Sequence, residues 1–565
     1  MAAWGIGVSV GLCVWIARFN DPGGSFAGMT DDHFFYVTRG WQILFGDLPV
    51  RDFVDHGAPL FYYVAAAVQA LLGRGTASEL LFTSAMLGVS AALLYGCASR
   101  ASGSVLVGLV APMLFLSLDP RFYNYPKFLA YAIAIPLLWA FADAPNARSR
   151  LWVAIVTVVS FLFRHDHGAF IALSMGVLLV QLPISWGERV KHGLIYGVLV
   201  AALLAPYLWF IERNGGVVTY FEQAAAWAER DRGRAPVVFP GLFDNPDGVS
   251  KATEAAAGVD RVVGVLRDNF EAWIFYTEIA LPLFAIFVAL ASSDGWRPGW
   301  PHARAKIVTV AVLGLVLDGY FLRSPLEARL ADPSIPLAIL AAWLLVAVPR
   351  LLVGRGAPSW PVRGLAVAGM LVAGAIFFVI LAPRFHRTLE HGQMFERWTD
   401  PPDRAANVYR QLQAEWHLST WEDRPERSDL ISLAMYVNAC TEPTDRVLVQ
   451  GYLPQVLALA QRAFAGGHAD LRPGFFGTEA AQRLTLERLR RQSVPLILLD
   501  TGSSLADFRT SFELVTAYID DRYRLAGTHV FDGRFGVSLF VRKDLTPRGT
   551  WAPLGWPCYG SGRIG

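Results

Sequence analysis

Residues 333–348 read PSIPLAILAAWLLVAV, an apolar run without a charged residue. Such a run is typical of a membrane-spanning helix, because about 20 apolar residues cross the hydrocarbon core of a bilayer. We predict 11 spans of this kind. The other ten lie at about 2–19, 78–98, 103–118, 128–142, 151–163, 168–184, 193–211, 271–292, 306–321 and 364–382.

The composition points the same way. Of 565 residues, 54% are hydrophobic and 17% are charged, and the mean hydropathy is +0.38. Soluble domains carry about 25% charged residues, so an ordinary soluble enzyme is excluded. High hydrophobicity excludes a disordered chain, and four Cys residues are too few for a disulfide scaffold. A net charge of +2 gives no reason to expect nucleic-acid binding.

Basic residues orient the predicted spans. Segment 58–73 is apolar but short, so it is either a twelfth span or a helix at the membrane interface. If it does not cross and the N-terminus is cytoplasmic, every inner loop carries Arg or Lys, as the positive-inside rule requires. If it crosses, that bias inverts. We therefore prefer 11 spans, with residues 2–19 as an anchor and the C-terminal part outside the cytoplasm.

The character of the sequence changes near residue 385, where strand and helix patterns begin to alternate. Such alternation predicts an open, partly parallel sheet. Strands are expected at 446–450, 495–500, 524–531 and 536–541, and helices at 430–436, 454–462, 482–491 and 512–520. The sequence leaves open whether Cys440 and Cys558 pair. No glycine-rich nucleotide fingerprint is present, so no nucleotide cofactor is expected. The predicted domains are 1–384, which is membrane-embedded, and 385–565, which is an extracytoplasmic α/β domain.

Candidate chemistry lies in the first outer loop, 20–57. Residues 29–63 read MTDDHFFYVTRGWQILFGDLPVRDFVDHGAPLFYY. Asp31 and Asp32 precede a short amphipathic helix, and Asp55 precedes the next apolar segment. Carboxylates at a membrane surface can take a proton from an acceptor hydroxyl or hold a divalent cation. The alternative is a solvated loop whose Asp residues cap helices.

This loop resembles the membrane glycosyltransferases of the GT-C superfamily, in particular bacterial members related to protein O-mannosyltransferases and the lipid A aminoarabinose transferase. The resemblance rests on the acidic pair Asp31–Asp32, on Gly46, and on residues 49–53 (PVRDF) and 55–63 (DHGAPLFYY). It differs mildly at the pair, where the family usually has Asp–Glu. It implies an α-helical polytopic membrane protein of GT-C type, with a C-terminal extracytoplasmic α/β domain.

The resemblance also implies a reaction, in which a sugar passes from a polyprenyl-phosphate carrier to a glycan, lipid or protein outside a bacterial inner membrane. Asp31 and Asp55 match the family's acidic positions. Asp32 lies beside them and could support a metal with Asp31 or orient the acceptor. A divalent cation as cofactor stays open.

Residues for binding the substrate are drawn from the outer loops. Cationic and aromatic side chains there could hold a lipid phosphate. The alternatives are interfacial anchoring for the loop at 119–127, an interhelical polar network at 164–167, and ion pairs of Glu327 and Asp332 with neighbouring Arg residues. The candidates are Arg51, His56, Arg121, Tyr123, Lys127, Arg164, His165, Arg323 and Arg329.

Two other classes of function compete with a transferase. A transporter or flippase of lipid-linked glycans would also be polytopic, although no internal repeat is evident. A non-catalytic scaffold for glycan assembly is the third. The sequence identifies neither the sugar nor the acceptor.

Overall fold

The computed structural model describes residues 2–20, 31–232, 239–243, 250–291, 300–321, 329–353, 360–392, 394, 403, 406, 409–410, 429–451, 453–531 and 535–560. Within these ranges every named strand lies after residue 445, and helices fill most of the chain before it. The helices up to residue 391 are α1 (Ala2–Phe19), α2 (Asp31–Leu44), α3 (Pro59–Leu72), α4 (Thr76–Ser102), α5 (Val105–Gly108), α6 (Val110–Ser117), α7 (Tyr125–Asp143), α8 (Ala147–Phe163), α9 (His165–Gln181), α10 (Trp186–Arg213), α11 (Val217–Arg232), α12 (Lys251–Ala255), α13 (Gly258–Asp268), α14 (Phe270–Ala291), α15 (Ala303–Phe321), α16 (Ser334–Val353), α17 (Trp360–Ile376) and α18 (Ala382–His391).

Several of these helices have the makeup of membrane spans. Within the described ranges, six helical stretches are long and apolar enough to cross a bilayer. They are Thr76–Ser102, Phe122–Asp143, Trp186–Arg213, Phe270–Ala291, Ser334–Leu352 and Val367–His391. The chain is therefore compatible with a helical membrane protein, as predicted. The total of 11 spans stays a prediction, because helices such as α8 and α9, which coincide with predicted spans, are shorter.

Local sequence explains where helices begin and how closely they pack. Helix α8 begins at a capping box, in which Asn146 and Ser149 satisfy each other's backbone N–H groups. Helices α1 and α4 approach through Gly11 and Gly88: a Cβ added at Gly11 would lie 2.9 Å from the carbonyl oxygen of Gly88. Small residues permit such close approach between apolar helices, where no side chain has to be accommodated.

The chain forms two compact units. The helical unit comprises Met1–Pro22, Leu81–Phe210 and Ala228–Arg404. The mixed unit comprises Gly23–Leu80, Ile211–Trp227 and Ala405–Gly565. The first loop and the α/β region thus belong to one unit, although about 350 residues separate them along the chain. The division into a domain of residues 1–384 and a domain of residues 385–565 stays a prediction.

The α/β region is built on a five-stranded mixed sheet. Its strand order is β2-β1-β3-β5-β4, with β1 parallel to β2 and β3, and β5 antiparallel to β3 and β4. A hairpin, β6–β7, follows. The elements are α19 (Asp429–Cys440), β1 (Arg446–Val449), α20 (Pro454–Ala460), β2 (Ala463–Phe464), α21 (Glu479–Arg491), β3 (Leu496–Asp500), α22 (Gly502–Ser511), α23 (Glu513–Arg522), β4 (Tyr523–Phe531), β5 (Phe535–Arg542), β6 (Gly549–Trp551) and β7 (Trp556–Cys558).

A disulfide closes this region. Cys440 at the end of α19 is bonded to Cys558 in β7, with the two Cα atoms 4.5 Å apart. Tyr436 donates a further hydrogen bond to the carbonyl of Pro557 at 2.7 Å. The two cysteines are 118 residues apart in the sequence. A disulfide that closes so long a loop strongly reduces the conformational entropy of the unfolded chain.

Replacing Cys558 by Ser is expected to lower the free energy of unfolding of the mixed unit by about 2–5 kcal/mol. Denaturant unfolding of the full-length protein in detergent, followed by tryptophan fluorescence, measures this loss. Cys13→Ser is the matched control, because Cys13 is a free and exposed thiol. Equal stability of both variants would contradict the structural role of the bond.

Candidate functional site

The predicted amphipathic helix of the first loop is α2. Asp31 and Asp32 occupy its first turn, where negative charge is favourable to the helix dipole. Its apolar residues Phe34 and Trp41 are buried. The side chain of Asp32 is exposed, and Tyr36 stacks on Phe61 of α3 with ring centroids 3.9 Å apart. The helix therefore presents its acidic end to the surroundings while its body is fixed against α3.

Asp55 is held in a defined orientation. Its Oδ1 accepts hydrogen bonds from the backbone N–H groups of Gly57 at 2.9 Å and Ala58 at 3.0 Å. Its Oδ2 accepts one from the Tyr220 hydroxyl at 2.8 Å. Three donors therefore fix the orientation of this carboxylate. The two backbone contacts shape the turn before α3, whose N-cap is Ala58 and has no side-chain capping bond. The Tyr220 contact has no local origin.

The first loop is bound to the sheet region by polar contacts with the loop backbone and side chains. Gln42 exchanges two hydrogen bonds of 3.1 Å with the backbone of Phe464, which satisfies the edge strand β2. Asp47 accepts a bond of 3.0 Å from Arg446. Arg488 donates to the carbonyl of Arg51 at 3.0 Å. These bonds fix residues 42–54 as part of the mixed unit.

Gly467 marks the closest approach of the loop. The Val54 N–H donates to the Gly467 carbonyl at 3.0 Å. Gly467 has φ +83°, and a Cβ there would lie 2.8 Å from the carbonyl oxygen of Asp52. Only glycine fits both conditions, the left-handed backbone and the tight contact.

A buried ionic cluster joins α2 to the loop that contains Asp470 and Arg472. Arg39 and Asp470 are 1% and 2% exposed, and Nη2 of Arg39 is 3.3 Å from Oδ1 of Asp470. Arg472 binds the other carboxylate oxygen at 2.9 Å. The Arg39 guanidinium also lies over the Phe35 ring, 3.3 Å from its centroid. Such an arrangement stabilises only while both signs of charge are present.

A second buried polar group ties α2 to α3 and α4. His33 Nε2 is 3.1 Å from Oε1 of Glu79, and both side chains are almost fully buried. The Gln69 amide donates to Oε2 of Glu79 at 3.3 Å and accepts from the N–H of Gly75 at 2.8 Å. His33 directly follows Asp32, so this network fixes the acidic end of α2.

Sequence reasoning missed Tyr220, Arg39, Asp470 and the His33–Glu79 pair. Tyr220 and Asp55 are 165 residues apart, and Arg39 and Asp470 are 431 apart. Nothing in the local sequence relates such residues. One of these residues could have been found from the sequence: Arg39 is a cationic residue on the apolar side of an amphipathic helix, which indicates a buried ion pair.

The two predicted ligands of this loop differ in accessibility. Arg51 is half-exposed and binds its neighbour Asp52 at 2.6 Å, so its guanidinium can still reach a substrate. His56 is largely buried, packs against Phe35 and Phe476, and has Nε2 3.9 Å from Oδ1 of Asp470. Its position favours a role inside the unit.

In the helical unit, two of the predicted phosphate ligands, Lys127 and Arg164, form ion pairs with carboxylates. Lys127 Nζ is 2.7 Å from Asp332, and the Asn124 amide donates to the same carboxylate at 3.2 Å. Arg164 binds Asp166 at 2.9 Å. Lys127 is within electrostatic range of both Arg164 and Asp166. The structure thus brings two of the predicted cations together, each with a carboxylate.

The remaining candidates of the helical unit lie at three other places in the chain. His165 stacks on Phe161 with ring centroids 4.4 Å apart. Arg121 and Tyr123 are half-buried at a short 3₁₀ turn, and Arg329 is half-buried before α16. Arg323 lies outside the described residues, as does Glu327. Asp332 pairs with Lys127, a partner that the sequence analysis did not propose for it.

Asp31 and Asp32 were also candidates for a metal site. Among the residues that the structure describes, no three His, Cys, Asp or Glu side chains converge as a protein-only metal site would. A cation at Asp31 and Asp32 would therefore need ligands from water or substrate.

Comparisons with known proteins assign no family. No protein-family model matches the chain, and no curated protein matches it.

Buried histidines make the stability of the mixed unit dependent on pH. Burial, together with the positive charges of Arg488 and Arg39, lowers the pKa of His468 to about 3. Burial and the charges of Arg39, His468 and Arg472 lower the pKa of His56 well below its ordinary value. Both histidines are neutral when folded, whereas the unfolded chain binds protons near pH 6.5.

The free energy of unfolding is therefore expected to fall as the pH drops below about 6.5, by up to about 1.4 kcal/mol per pH unit for each histidine. Denaturant unfolding between about pH 7 and about pH 4 measures this slope. The ring of His468 has Nε2 2.9 Å from Oγ1 of Thr485. His468→Gln should reduce the slope, because Gln does not titrate and its amide can still form a hydrogen bond with Thr485. His386→Gln, at an exposed position, should not change it. An unchanged slope in His468→Gln would contradict the assignment.

Proposed function

We propose that this chain is an integral-membrane glycosyltransferase. It would take a sugar from a polyprenyl-phosphate carrier and attach it to a glycan, lipid or protein acceptor outside the cytoplasm. The observation that carries the proposal is the fixed carboxylate of Asp55, which lies in the same compact unit as Asp31, Asp32 and the α/β region.

The proposed chemistry needs only a base and stabilisation of the leaving phosphate. The acceptor hydroxyl gives its proton to a carboxylate, and its oxygen forms a bond to the anomeric carbon of the sugar. The bond from that carbon to the phosphate oxygen breaks, and its electron pair leaves with polyprenyl phosphate. Asp31 or Asp55 would be the base, and Asp32 would orient the acceptor.

Binding of the lipid phosphate by the helical unit is a separate part of the proposal. Lys127 and Arg164 are the cations that the structure supports best, because each has a defined position next to a carboxylate. A phosphate arriving there would compete with Asp332 and Asp166 for them.

The proposed location is a bacterial inner membrane, with the mixed unit on the periplasmic side. The Cys440–Cys558 bond supports this side, since disulfides persist in oxidising compartments. The first loop and the disulfide belong to one unit, which agrees with the orientation that the basic loops favour.

Mass spectrometry of envelope glycans, lipids and glycoproteins from a deletion strain tests the proposal. The deletion should remove one sugar mass from a defined acceptor. Wild-type protein should restore it and Asp31→Asn should not, at equal expression. Asp521→Asn is the control, because Asp521 is an exposed carboxylate of the α/β region. Full restoration by Asp31→Asn, or the loss of whole glycans together, would favour a scaffold or a transporter instead.

A further inference from the structure

Two acidic side chains lie inside the helical unit, within predicted spans. Glu278 of α14 and Asp318 of α15 are 5% and 3% exposed. In the part of the chain that the structure describes, none of their four carboxylate oxygens has a hydrogen-bond partner. Ionisable groups inside a membrane segment are costly and usually mark a functional site.

The packing of α14 and α15 brings these side chains to one level. A Cβ added at Gly314 would lie 3.7 Å from the Cβ of Pro282, so the two helices touch there. Glu278 is four residues before Pro282, and Asp318 is four residues after Gly314. Residues four apart share a helix face, and consecutive spans run in opposite directions. Glu278 and Asp318 therefore face each other one turn away, and they interact electrostatically.

A hydroxyl from a third helix reaches the same level. The added Cβ at Gly314 would also lie 3.3 Å from Cδ2 of Leu337 in α16. Ser334 is three residues before Leu337. Because α15 and α16 run in opposite directions, Ser334 lies about one turn from Gly314 toward the end of α15 that contains Asp318. The side chain of Ser334 is 1% exposed, and its Oγ has no partner among the described residues. This orphan hydroxyl is independent of the two carboxylates.

Charge and donor type identify what would bind. The charged neighbours of Glu278 are the carboxylates of Asp318 and Asp332, and Asp332 is already paired with Lys127 at 2.7 Å. A ligand with two positive charges would neutralise these two carboxylates when both are ionised. All donors are oxygen, which selects a hard cation such as Mg²⁺, Mn²⁺ or Ca²⁺. One or two carboxylates with water and phosphate oxygens are the usual ligand set of Mg²⁺.

We propose that Glu278, Asp318 and Ser334 form a site for one hard divalent cation inside the helical unit. The site does not depend on the proposed transferase function, although such a cation could also meet a substrate phosphate. Metal binding and sugar transfer can therefore fail separately.

Electron paramagnetic resonance of Mn²⁺ with the full-length protein in lipid nanodiscs tests the site. Wild type should bind one Mn²⁺ per chain, and Mg²⁺ should displace it. Glu278→Gln and Asp318→Asn should each weaken binding by about 100-fold or more, and Ser334→Ala by about tenfold. Glu390→Gln, at an exposed carboxylate of the same unit, should bind as wild type does. Equal binding by all four variants would overturn the proposal.

A second measurement uses wild type alone, so that it is independent of the folding of the variants. Infrared spectroscopy reports whether a buried carboxyl is protonated. Metal-free protein should show the carbonyl stretch of a protonated carboxylic acid, and saturating Mg²⁺ should remove it. A stretch that persists at saturating Mg²⁺, with no Mn²⁺ bound, would overturn the proposal in favour of a protonated pair.

Discussion

Asp55→Asn is expected to lower the rate of sugar transfer by about 10²–10⁴-fold, the usual contribution of a general base. The amide oxygen can still accept the bonds from Gly57 and Ala58, so the loop should keep its shape. What is lost is the negative charge that would take the acceptor proton. Transfer is measured with full-length protein in vesicles, using membrane lipids of a deletion strain as the source of donor.

Two further variants distinguish the effect of the Asp55 charge from the effect of its hydrogen-bond partner and from unspecific effects of a substitution. Tyr220→Phe removes the hydroxyl that orients Oδ2 of Asp55 and should lower transfer by about tenfold, roughly the value of one hydrogen bond to a charged group. Asp521→Asn should leave transfer unchanged. If Asp55→Asn transfers sugar at the wild-type rate, Asp55 only shapes the turn before α3 and the proposed base is wrong.

Asp470→Leu is expected to destabilise the mixed unit by about 3–5 kcal/mol, because it leaves Arg39 buried without its counter-charge. The loss should also loosen the first loop, since Arg39 belongs to α2. Denaturant unfolding of the full-length protein measures the free energy, and limited proteolysis within residues 42–58 measures the loosening.

The control for this prediction is an exposed ion pair. Arg483 and Glu479 pair at the surface of α21, so Glu479→Ala should change the free energy of unfolding by no more than about 1 kcal/mol. The double variant Arg39→Met with Asp470→Leu should recover part of the loss, because the fully buried charge of Arg39 is removed as well, whereas Arg472, which loses the same carboxylate, is partly exposed. A loss no larger for Asp470→Leu than for Glu479→Ala would contradict the structural role of the pair.

Periodicity and apolar content were enough to predict much of the fold. The amphipathic pattern from Phe34 to Phe45 identified α2 within a few residues. Four strands of the α/β region were predicted correctly, because their apolar and β-branched residues differ from the polar helices between them. The mixed sheet agrees with the predicted partly parallel one.

Elements without such a pattern were missed. Strand β2 has two residues, and α22 is rich in Ser and Thr, which gives no clear helical period. The hairpin β6–β7 is equally short. The predicted helix at 512–520 is α23, one of two consecutive helices.

The sequence predicted which acidic residues belong to the candidate site but not which residues contact them. Acidic residues in the first loop could be found from the sequence, and Asp55 has a fixed position in the structure. Its partner Tyr220, and the contact of Asp47 with Arg446 across 399 residues, depend on tertiary packing. The Cys440–Cys558 pairing was open for the same reason, because spacing alone does not bring two cysteines together.

The most direct test of a polyprenyl-phosphate transferase follows the donor itself. Lipids from a deletion strain are mixed with full-length protein in vesicles and with deletion-strain envelopes as acceptor, and polyprenyl-phosphate sugars are followed by mass spectrometry. We predict that wild type consumes one such lipid, releases polyprenyl phosphate and adds the sugar mass to one acceptor, and that Asp31→Asn and Asp55→Asn do not. No consumption by wild type, or equal consumption by both variants, would contradict the account.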